Sequence, residues 1–265
     1  MYLKYARSLM KRFADHDLIS LGAQCAYFLL LSLFPFLIFI VTLLTYLPFT
    51  FQDVYNLLEE DYVPPEVLGI VENQWEVLTA HQNTGLLSFS IIFTIWTASL
   101  ALNSILRTLN LAYHVTERRG MVKARIVSIS LTISMFLVVL TALVVQVIGS
   151  NLLEYIEIEP VILDYDVLRW LVSSVILFIV FSILYLVGPN TRLNIKEVYT
   201  GAIFATVGWQ LTSLGFSYYL NNFANYTATY GSIGAVIALM VWFHLSSVII
   251  LFGGEINAAR KEDFT

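Results

Sequence analysis

Long apolar runs separated by short polar segments dominate this chain of 265 residues. Each run comes close to the roughly 20 residues that an α-helix needs to cross the hydrocarbon core of a membrane. The pattern therefore predicts an all-α fold, a single polytopic membrane domain over residues 1–265 built as a helical bundle of six transmembrane helices. The predicted spans are 21–47, 85–106, 126–149, 168–188, 198–219 and 232–253.

Two further segments follow a helical pattern but are too polar to span. Residues 1–17 place Leu9 and Phe13 on one face and basic residues on another, which predicts an amphipathic helix lying in the membrane interface. The loop 48–84 carries an apolar stripe after Pro65, a residue that suits the first turn of a helix. This loop is predicted to form short extracytoplasmic helices, which either cover the outer mouth of the bundle or lie passively on the membrane.

Composition and charge agree with a membrane protein and give it an orientation. Only 12% of the residues are charged, against roughly 25% in soluble domains. Of the 14 lysines and arginines, all but Arg169 fall on one side of the predicted spans, whereas acidic residues concentrate between Asp53 and Glu76 and between Glu154 and Asp166. The positive-inside rule then predicts that the N- and C-termini are cytoplasmic. The same rule explains the basic cluster at 117–125, so we expect no nucleic-acid partner.

The polar residues that catalysis requires are sparse. The four histidines fall on different segments without the spacing of a metal site, and neither a GxSxG turn nor a P-loop occurs. We therefore expect no catalytic residues, no metal and no cofactor, and an enzyme acting on lipid is only a distant third interpretation. The single cysteine, Cys25, lies within the first apolar run, which excludes an intrachain disulfide.

Small and polar residues interrupt the apolar surface of spans 1, 5 and 6. Gly201, Gly208 and Gly215 recur every seven residues on one helix face, which favours close helix packing or, alternatively, a cavity beside the stripe. Pro35 removes a backbone hydrogen bond in mid-span. His244 is either a proton relay or a neutral histidine bonded to a neighbouring helix. The candidate substrate path consists of Gln24, Tyr27, Pro35, Gly201, Gly208, Gln210, Gly215 and His244.

Glu255 ends span 6, where the helix dipole disfavours a negative charge, so it needs a cation. Arg107 ends span 2 at the same depth, which predicts an Arg107–Glu255 contact, with Arg192 as second choice. The sequence leaves open whether this contact is a static clamp or a gate. Nearby asparagines can cap helix carbonyls or bind a headgroup. The candidate cytoplasmic clamp consists of Arg107, Asn110, Asn190, Glu255 and Asn257.

Several motifs resemble the YihY/BrkB family of integral membrane proteins, formerly labelled ribonuclease BN-like. They are "AYFLLLSLFPFLIFI" (26–40), "LNLAYHVTERR" (109–119), "LYLVGPN" (184–190) and "YGSIGAVIALMVWFHLSSVIILFGGEINA" (230–258). The resemblance implies a six-span protein of the bacterial plasma (inner) membrane, linked to envelope integrity, serum resistance and export of lipids or small molecules. His244 stands where the family leads us to expect an aromatic residue, which weakens the proton-relay interpretation. The motif positions are Tyr27, Pro35, Trp96, Asn110, Tyr113, Pro189, Asn190, Tyr230, Gly231, Trp242, Glu255 and Asn257.

Together these features predict a transporter or flippase-like protein for an amphipathic lipid or small-molecule envelope substrate. The alternative is a structural or scaffold protein of the cell envelope that moves nothing. Membrane lipids are the expected partners in both cases, and the pattern does not fix the oligomeric state. A groove of several hundred cubic ångströms beside spans 1, 5 and 6 would favour transport.

Overall fold

The structure, a computed structural model, describes residues 2–44, 84–116, 120, 122–137, 165–223 and 232–263. These residues form seven helices and contain no strand, which confirms the all-α prediction for the described part of the chain. The helices are α1 Tyr2–Asp15, α2 Leu18–Leu44, α3 Thr84–Ala112, α4 122–137, α5 Tyr165–Val187, α6 Ile195–Phe223 and α7 Ser232–Asp263.

Four of these helices contain a stretch that is long and apolar enough to cross a membrane: Leu18–Phe39, Leu87–Ala112, Trp170–Val187 and Val236–Glu262. They correspond to the first, second, fourth and sixth predicted spans. Helix α6 covers the fifth but is not among the four apolar stretches, and α4 covers the start of the third. The six-span topology therefore stays a prediction. The predicted loop helices over 48–84 lie outside the described residues, apart from Thr84.

The chain divides into two compact units. The second unit, Leu29–Ala98, contains Pro35 and Trp96. Helix α2 continues through Pro35 to Leu44, and the indole of Trp96 is half exposed. The first unit joins Met1–Phe28 to Ser99–Thr265 and contains the remaining candidate residues for which the structure gives a position.

The core of the first unit lies where α6 packs along α7 and against α5. The fully buried Tyr185 of α5 donates a hydrogen bond to the carbonyl oxygen of Ile250 at 2.6 Å. A Cβ atom at Gly253 would lie 2.8 Å from the carbonyl oxygen of Gly201, so only a glycine permits this approach of α6 to α7. Small residues at helix contacts are the usual means by which membrane helices pack closely.

Helix α1 packs against α7 at the end of the first unit where α3 and α7 finish and α6 begins, which we call the polar end. The hydroxyl of Tyr5 donates to the carbonyl oxygen of Ile256 at 3.3 Å, and the rings of Phe13 and Phe252 meet edge to face at 5.6 Å. The turn into α2 passes through Asp17, whose φ is 47°. The predicted helix over 1–17 is thus present, and its apolar face contacts another helix.

Candidate functional site

A fully buried carboxylate, that of Glu255, lies at the polar end of α7. Its Oε2 is 3.3 Å from Nη1 of Arg12 and its Oε1 is 2.5 Å from Nδ1 of His16. Arg12 belongs to α1, and His16 directly follows its last residue, Asp15. The N–H of His16 still donates to the carbonyl oxygen of Arg12 at 3.0 Å, so the helical spacing continues and the two side chains lie on the same face. We call Arg12, His16 and Glu255 the Glu255 cluster.

Arg12 also binds two other groups at the polar end. Its Nη1 donates to the carbonyl oxygen of Ala112 at 3.1 Å, and its Nη2 donates to Oε2 of Glu262 at 2.5 Å. Burial lowers the pKa of Arg12, but the hydrogen bonds and charges of Glu262 and Glu255 outweigh this effect, so its pKa is raised overall. One guanidinium therefore joins α1 to the end of α3 and to two turns of α7.

His114 extends this arrangement to the surface. It has a φ of 52° and follows α3 in a Schellman cap. The N–H of His114 donates to the carbonyl oxygen of Leu111 at 3.0 Å, and the N–H of Val115 donates to the carbonyl oxygen of Asn110 at 2.9 Å. The cap holds the imidazole 6.0 Å from the ring of His16 and 3.5 Å from Oε1 of Glu262. Ionisable groups thus form a continuous row from the buried Glu255 to the exposed His114.

The predicted partner of Glu255 needs correction, because Arg12 and His16 take the place assigned to Arg107. On α3, Leu106 and Leu109 are buried whereas Arg107 is exposed. A helix turns about 100° per residue, so the burial of Leu106 directs Arg107 away from the core. The second choice, Arg192, is also exposed.

The three candidate asparagines make specific polar contacts. Oδ1 of Asn110 accepts a hydrogen bond from the backbone N–H of Asn190 at 2.6 Å, and Nδ2 of Asn190 donates to the carbonyl oxygen of Thr116 at 3.3 Å. Asn257 is fully buried, and its Oδ1 accepts from the N–H of Gly201 at 2.7 Å. The carbonyl that Asn190 binds lies beyond the end of α3 and is not a helix carbonyl, and the amides of Asn110 and Asn257 accept from backbone N–H groups.

The glycines of the candidate substrate path have unequal surroundings. A Cβ atom at Gly201 would overlap the backbone of α7, and one at Gly208 would lie 2.9 Å from a methyl group of Ile249. One at Gly215 would meet nothing within 4 Å. Two of the three glycines thus lie in tight contacts between α6 and α7, and the third faces open space.

The polar residues of the path lie in separate contacts. Nε2 of Gln210 donates to Oγ of Ser174 at 2.7 Å, joining α6 to α5. Oε1 of Gln24 accepts from Oγ of Ser104 at 3.0 Å. His244 places Nε2 at 3.1 Å from the carbonyl oxygen of Ile19, the contact expected of a neutral histidine bonded to a neighbouring helix. Tyr27 is 55% exposed.

A cavity of about 170 Å³ opens at the polar end. Its walls come from the end of α3, the segment between α5 and α6, and the last turns of α7, through Tyr113, Thr191, Ala258, Lys261 and Glu262. This volume is below the range of roughly 300–1,000 Å³ that is typical of sites for drug-sized ligands. The cavity has room for a small polar group, not for a whole lipid.

Charged residues beside this cavity are paired. Nζ of Lys261 lies 3.1 Å from Oε1 of Glu197, whose Oε2 accepts from the backbone N–H of Asn194 at 2.6 Å. The contact with Asn194 first, and then Lys261, lowers the pKa of Glu197. Arg260 donates to the hydroxyl of Tyr199 at 2.7 Å and also binds Thr200. Among the described residues, no group of three or more His, Cys, Asp or Glu side chains could hold a metal ion.

Sequence reasoning missed Arg12 and His16 as site residues. It placed the basic residues of α1 at the membrane interface, although the spacing of Arg12 and His16 puts them on one helix face with Phe13 beside them. A cation and an imidazole four residues apart on a helix next to an apolar core are a signal for a buried carboxylate partner. The sequence marked Tyr113 only as a motif position of the family. It used Lys261 only as one of the basic residues that set the orientation in the membrane.

Comparisons with known proteins agree with the motifs. The profile of the family described as Virulence factor BrkB matches residues 9–265. The ribonuclease-like protein YfkH of Bacillus subtilis is 44% identical over 261 residues, covering 97% of this chain and 94% of that protein. A UPF0761 membrane protein of Alteromonas mediterranea is 28% identical, and the match covers 96% of this chain and 87% of that protein. A UPF0761 membrane protein of Vibrio campbellii is 29% identical, and the match covers 96% of this chain and 81% of that protein. No solved structure matches. This chain is therefore a membrane protein that belongs to the YihY/BrkB family.

Proposed function

We propose that this protein is a flippase-like transporter for an amphipathic lipid or small-molecule substrate of the cell envelope, with both termini on the cytoplasmic side of the plasma membrane. The observation that supports this most is the Glu255 cluster. A buried ionisable side chain at the end of a spanning helix is costly and usually has a functional role. A purely structural contact at this depth is made as well, or better, by apolar side chains of similar volume.

The element that neutralises Glu255 is the amphipathic helix α1, which lies outside the four apolar spanning stretches. Its described contacts with α7 include the ion pairs of Arg12 with Glu255 and Glu262, the Tyr5–Ile256 hydrogen bond and the ring contact of Phe13. A peripheral helix held by a few specific bonds can move as a unit without unpacking the core. We propose that α1 closes the cytoplasmic end of the transport path and that the Glu255 cluster holds it closed, a hinge-type transition.

The tight glycine contacts favour the second candidate function, a scaffold that moves nothing. Gly201 and Gly208 sit where α6 touches α7, so this part of the predicted path is filled by protein in the described conformation. Transport then requires α6 and α7 to separate or slide, whereas a scaffold requires them to stay together.

Movement of α1 can be tested by restraining it. Phe13→Cys and Phe252→Cys, introduced together with Cys25→Ser, place two thiols at a side-chain contact between α1 and α7. The protein is reconstituted into liposomes that carry a fluorescent phospholipid, and its movement between leaflets is followed with a membrane-impermeant quencher. We expect transport before cross-linking with a short thiol-reactive bifunctional reagent, loss of transport after it, and no effect of the reagent on either single variant. Equal lipid movement with α1 linked and unlinked would refute the proposed role of α1, and movement no faster than in protein-free liposomes would favour the scaffold.

A pair of glycine substitutions tests whether the α6–α7 contact moves. Gly208→Leu inserts a side chain against Ile249, whereas Gly215→Leu adds the same side chain where a Cβ meets nothing within 4 Å. We expect Gly208→Leu to slow lipid movement and Gly215→Leu to leave it unchanged. Protection of the buried Cys25 from labelling checks that both variants are folded. Equal lipid movement in the two variants would remove the support for a path along this stripe.

A further inference from the structure

The cavity at the polar end combines two opposite charges with two hydroxyl groups. Lys261 and Glu262, adjacent on α7, carry the charges, and Tyr113 and Thr191 carry the hydroxyls. The apolar stretch of α7 that can span a membrane ends at Glu262. The cavity therefore lies at the level where the headgroups of surrounding lipids would be found.

The hydroxyl of Tyr113 lines this cavity and lacks a hydrogen-bond partner among the described residues. The oxygen is buried and makes no hydrogen bond to any described residue. Burial first, and then the charges of Glu197 and Glu255, raise the pKa of Tyr113, so the hydroxyl stays protonated and can donate. A buried donor without an acceptor is costly, which a ligand bearing an acceptor would relieve.

The charges of the cavity restrict the kind of ligand. A simple anion would be attracted by Lys261 but repelled by Glu262 and by Glu197, the partner of Lys261. A simple cation would be attracted by Glu262 but repelled by Lys261 and by Arg12, the partner of Glu262. A zwitterion with an anionic group and a cationic group a few bonds apart matches both walls. The cavity volume of about 170 Å³ suits a group of that size.

We infer that this cavity binds a phosphoethanolamine group, the zwitterionic headgroup of a phospholipid. Its phosphate lies towards Lys261 and accepts hydrogen bonds from Tyr113 and Thr191, and its ammonium lies towards Glu262. This inference names the substrate chemistry of the proposed transporter and so rests on that proposal. Because Glu262 also binds Arg12, an ammonium group at Glu262 competes with Arg12 and loosens the attachment of α1.

Binding to the purified full-length protein in detergent tests the inference without requiring transport. Native mass spectrometry and the protection of Cys25 from a thiol-reactive dye are measured with phosphatidylethanolamine, phosphatidylglycerol, soluble phosphoethanolamine and inorganic phosphate. We expect phosphatidylethanolamine to bind about tenfold more tightly than phosphatidylglycerol, since it adds a charge-assisted contact to Glu262. Glu262→Gln should abolish that preference.

Tyr113→Phe removes only the unpartnered hydroxyl and should weaken binding of phosphatidylethanolamine by roughly tenfold. Tyr199→Phe is the matched control, since this hydroxyl lies at the same end but binds Arg260 outside the cavity walls. Competition by soluble phosphoethanolamine would identify the headgroup as the ligand, and binding of the lipid without such competition would show that the acyl chains are also required. Equal binding of the two lipids, or equal effects of Tyr113→Phe and Tyr199→Phe, would overturn the inference. Headgroup binding in a protein that moves no lipid would refute the transport proposal alone.

Discussion

Replacing Arg12 by methionine tests whether the Glu255 cluster stabilises the fold. Methionine keeps most of the apolar stem of arginine but removes the guanidinium. The Glu255 carboxylate, with 0% of its side chain exposed, then keeps His16 as its only described partner. Removing one partner of a buried ion pair typically costs about 3–5 kcal/mol.

Two features place the expected value at the lower end of that range. His16 still contacts the carboxylate at 2.5 Å, and the other acidic partner of Arg12, Glu262, is 53% exposed; an exposed pair is worth only about 0–1 kcal/mol. We expect Arg12→Met to lower the free energy of unfolding by about 3 kcal/mol. Glu255→Gln keeps the shape of the side chain and leaves Arg12 bound to Glu262, so its cost should be about 1–2 kcal/mol.

The assay uses Cys25, the single cysteine, which is buried in the folded protein. Reaction of its thiol with a fluorogenic dye during titration with a denaturing detergent reports unfolding. Because the two side chains interact directly, the double variant should lose about 2 kcal/mol less than the sum of the single variants. Additive losses would show that Arg12 does not stabilise Glu255 and would refute the reasoning.

Three further predictions use the same assay. Gly201→Ala should lower the free energy of unfolding by about 1–3 kcal/mol, because the new Cβ overlaps the backbone of α7. Gly215→Ala has open space around the new Cβ and should be neutral or slightly stabilising. Similar losses of stability in both variants would contradict the contact between Gly201 and α7. Arg107→Ala should change stability by less than about 0.5 kcal/mol, since the side chain is exposed, and a larger loss would restore the ion pair expected from the sequence. The pKa of Glu197 is lower in the folded protein than in the unfolded chain, so its contribution is present above the unfolded pKa and is lost as the pH falls. Stability measured from pH 7 to pH 4 should therefore fall less in Glu197→Gln than in the wild type, and parallel profiles would argue against this contribution.

The apolar runs predicted the helices well because membrane insertion depends on local sequence. A run of about 20 apolar residues is favourable in lipid whatever its neighbours are, so α2, α3, α5 and α7 follow from composition alone. The amphipathic pattern of residues 1–17 likewise predicted α1. Helix α6 was correctly predicted as a helix, although it is less apolar than the four spanning stretches.

The partner of Glu255 could not be predicted in the same way, because it depends on which helix faces meet. Arg107 and Arg12 both stand at the end of a helix on the same predicted side, and sequence position alone favoured the spanning helix. The docking of Phe13 against Phe252 is what brings Arg12 to the carboxylate. The cavity beside Tyr113 is similarly formed by three separate segments whose approach no local pattern encodes.

The contact between Arg12 and Glu255 spans 243 residues of sequence. Translation at about 5–20 residues per second separates the synthesis of the two side chains by roughly 10–50 seconds. During that interval the nascent chain must keep a cationic amino-terminal segment without its buried counter-ion. Because α7 is synthesised after α1, it completes the attachment of α1, and a chain truncated before residue 255 lacks the carboxylate that binds Arg12.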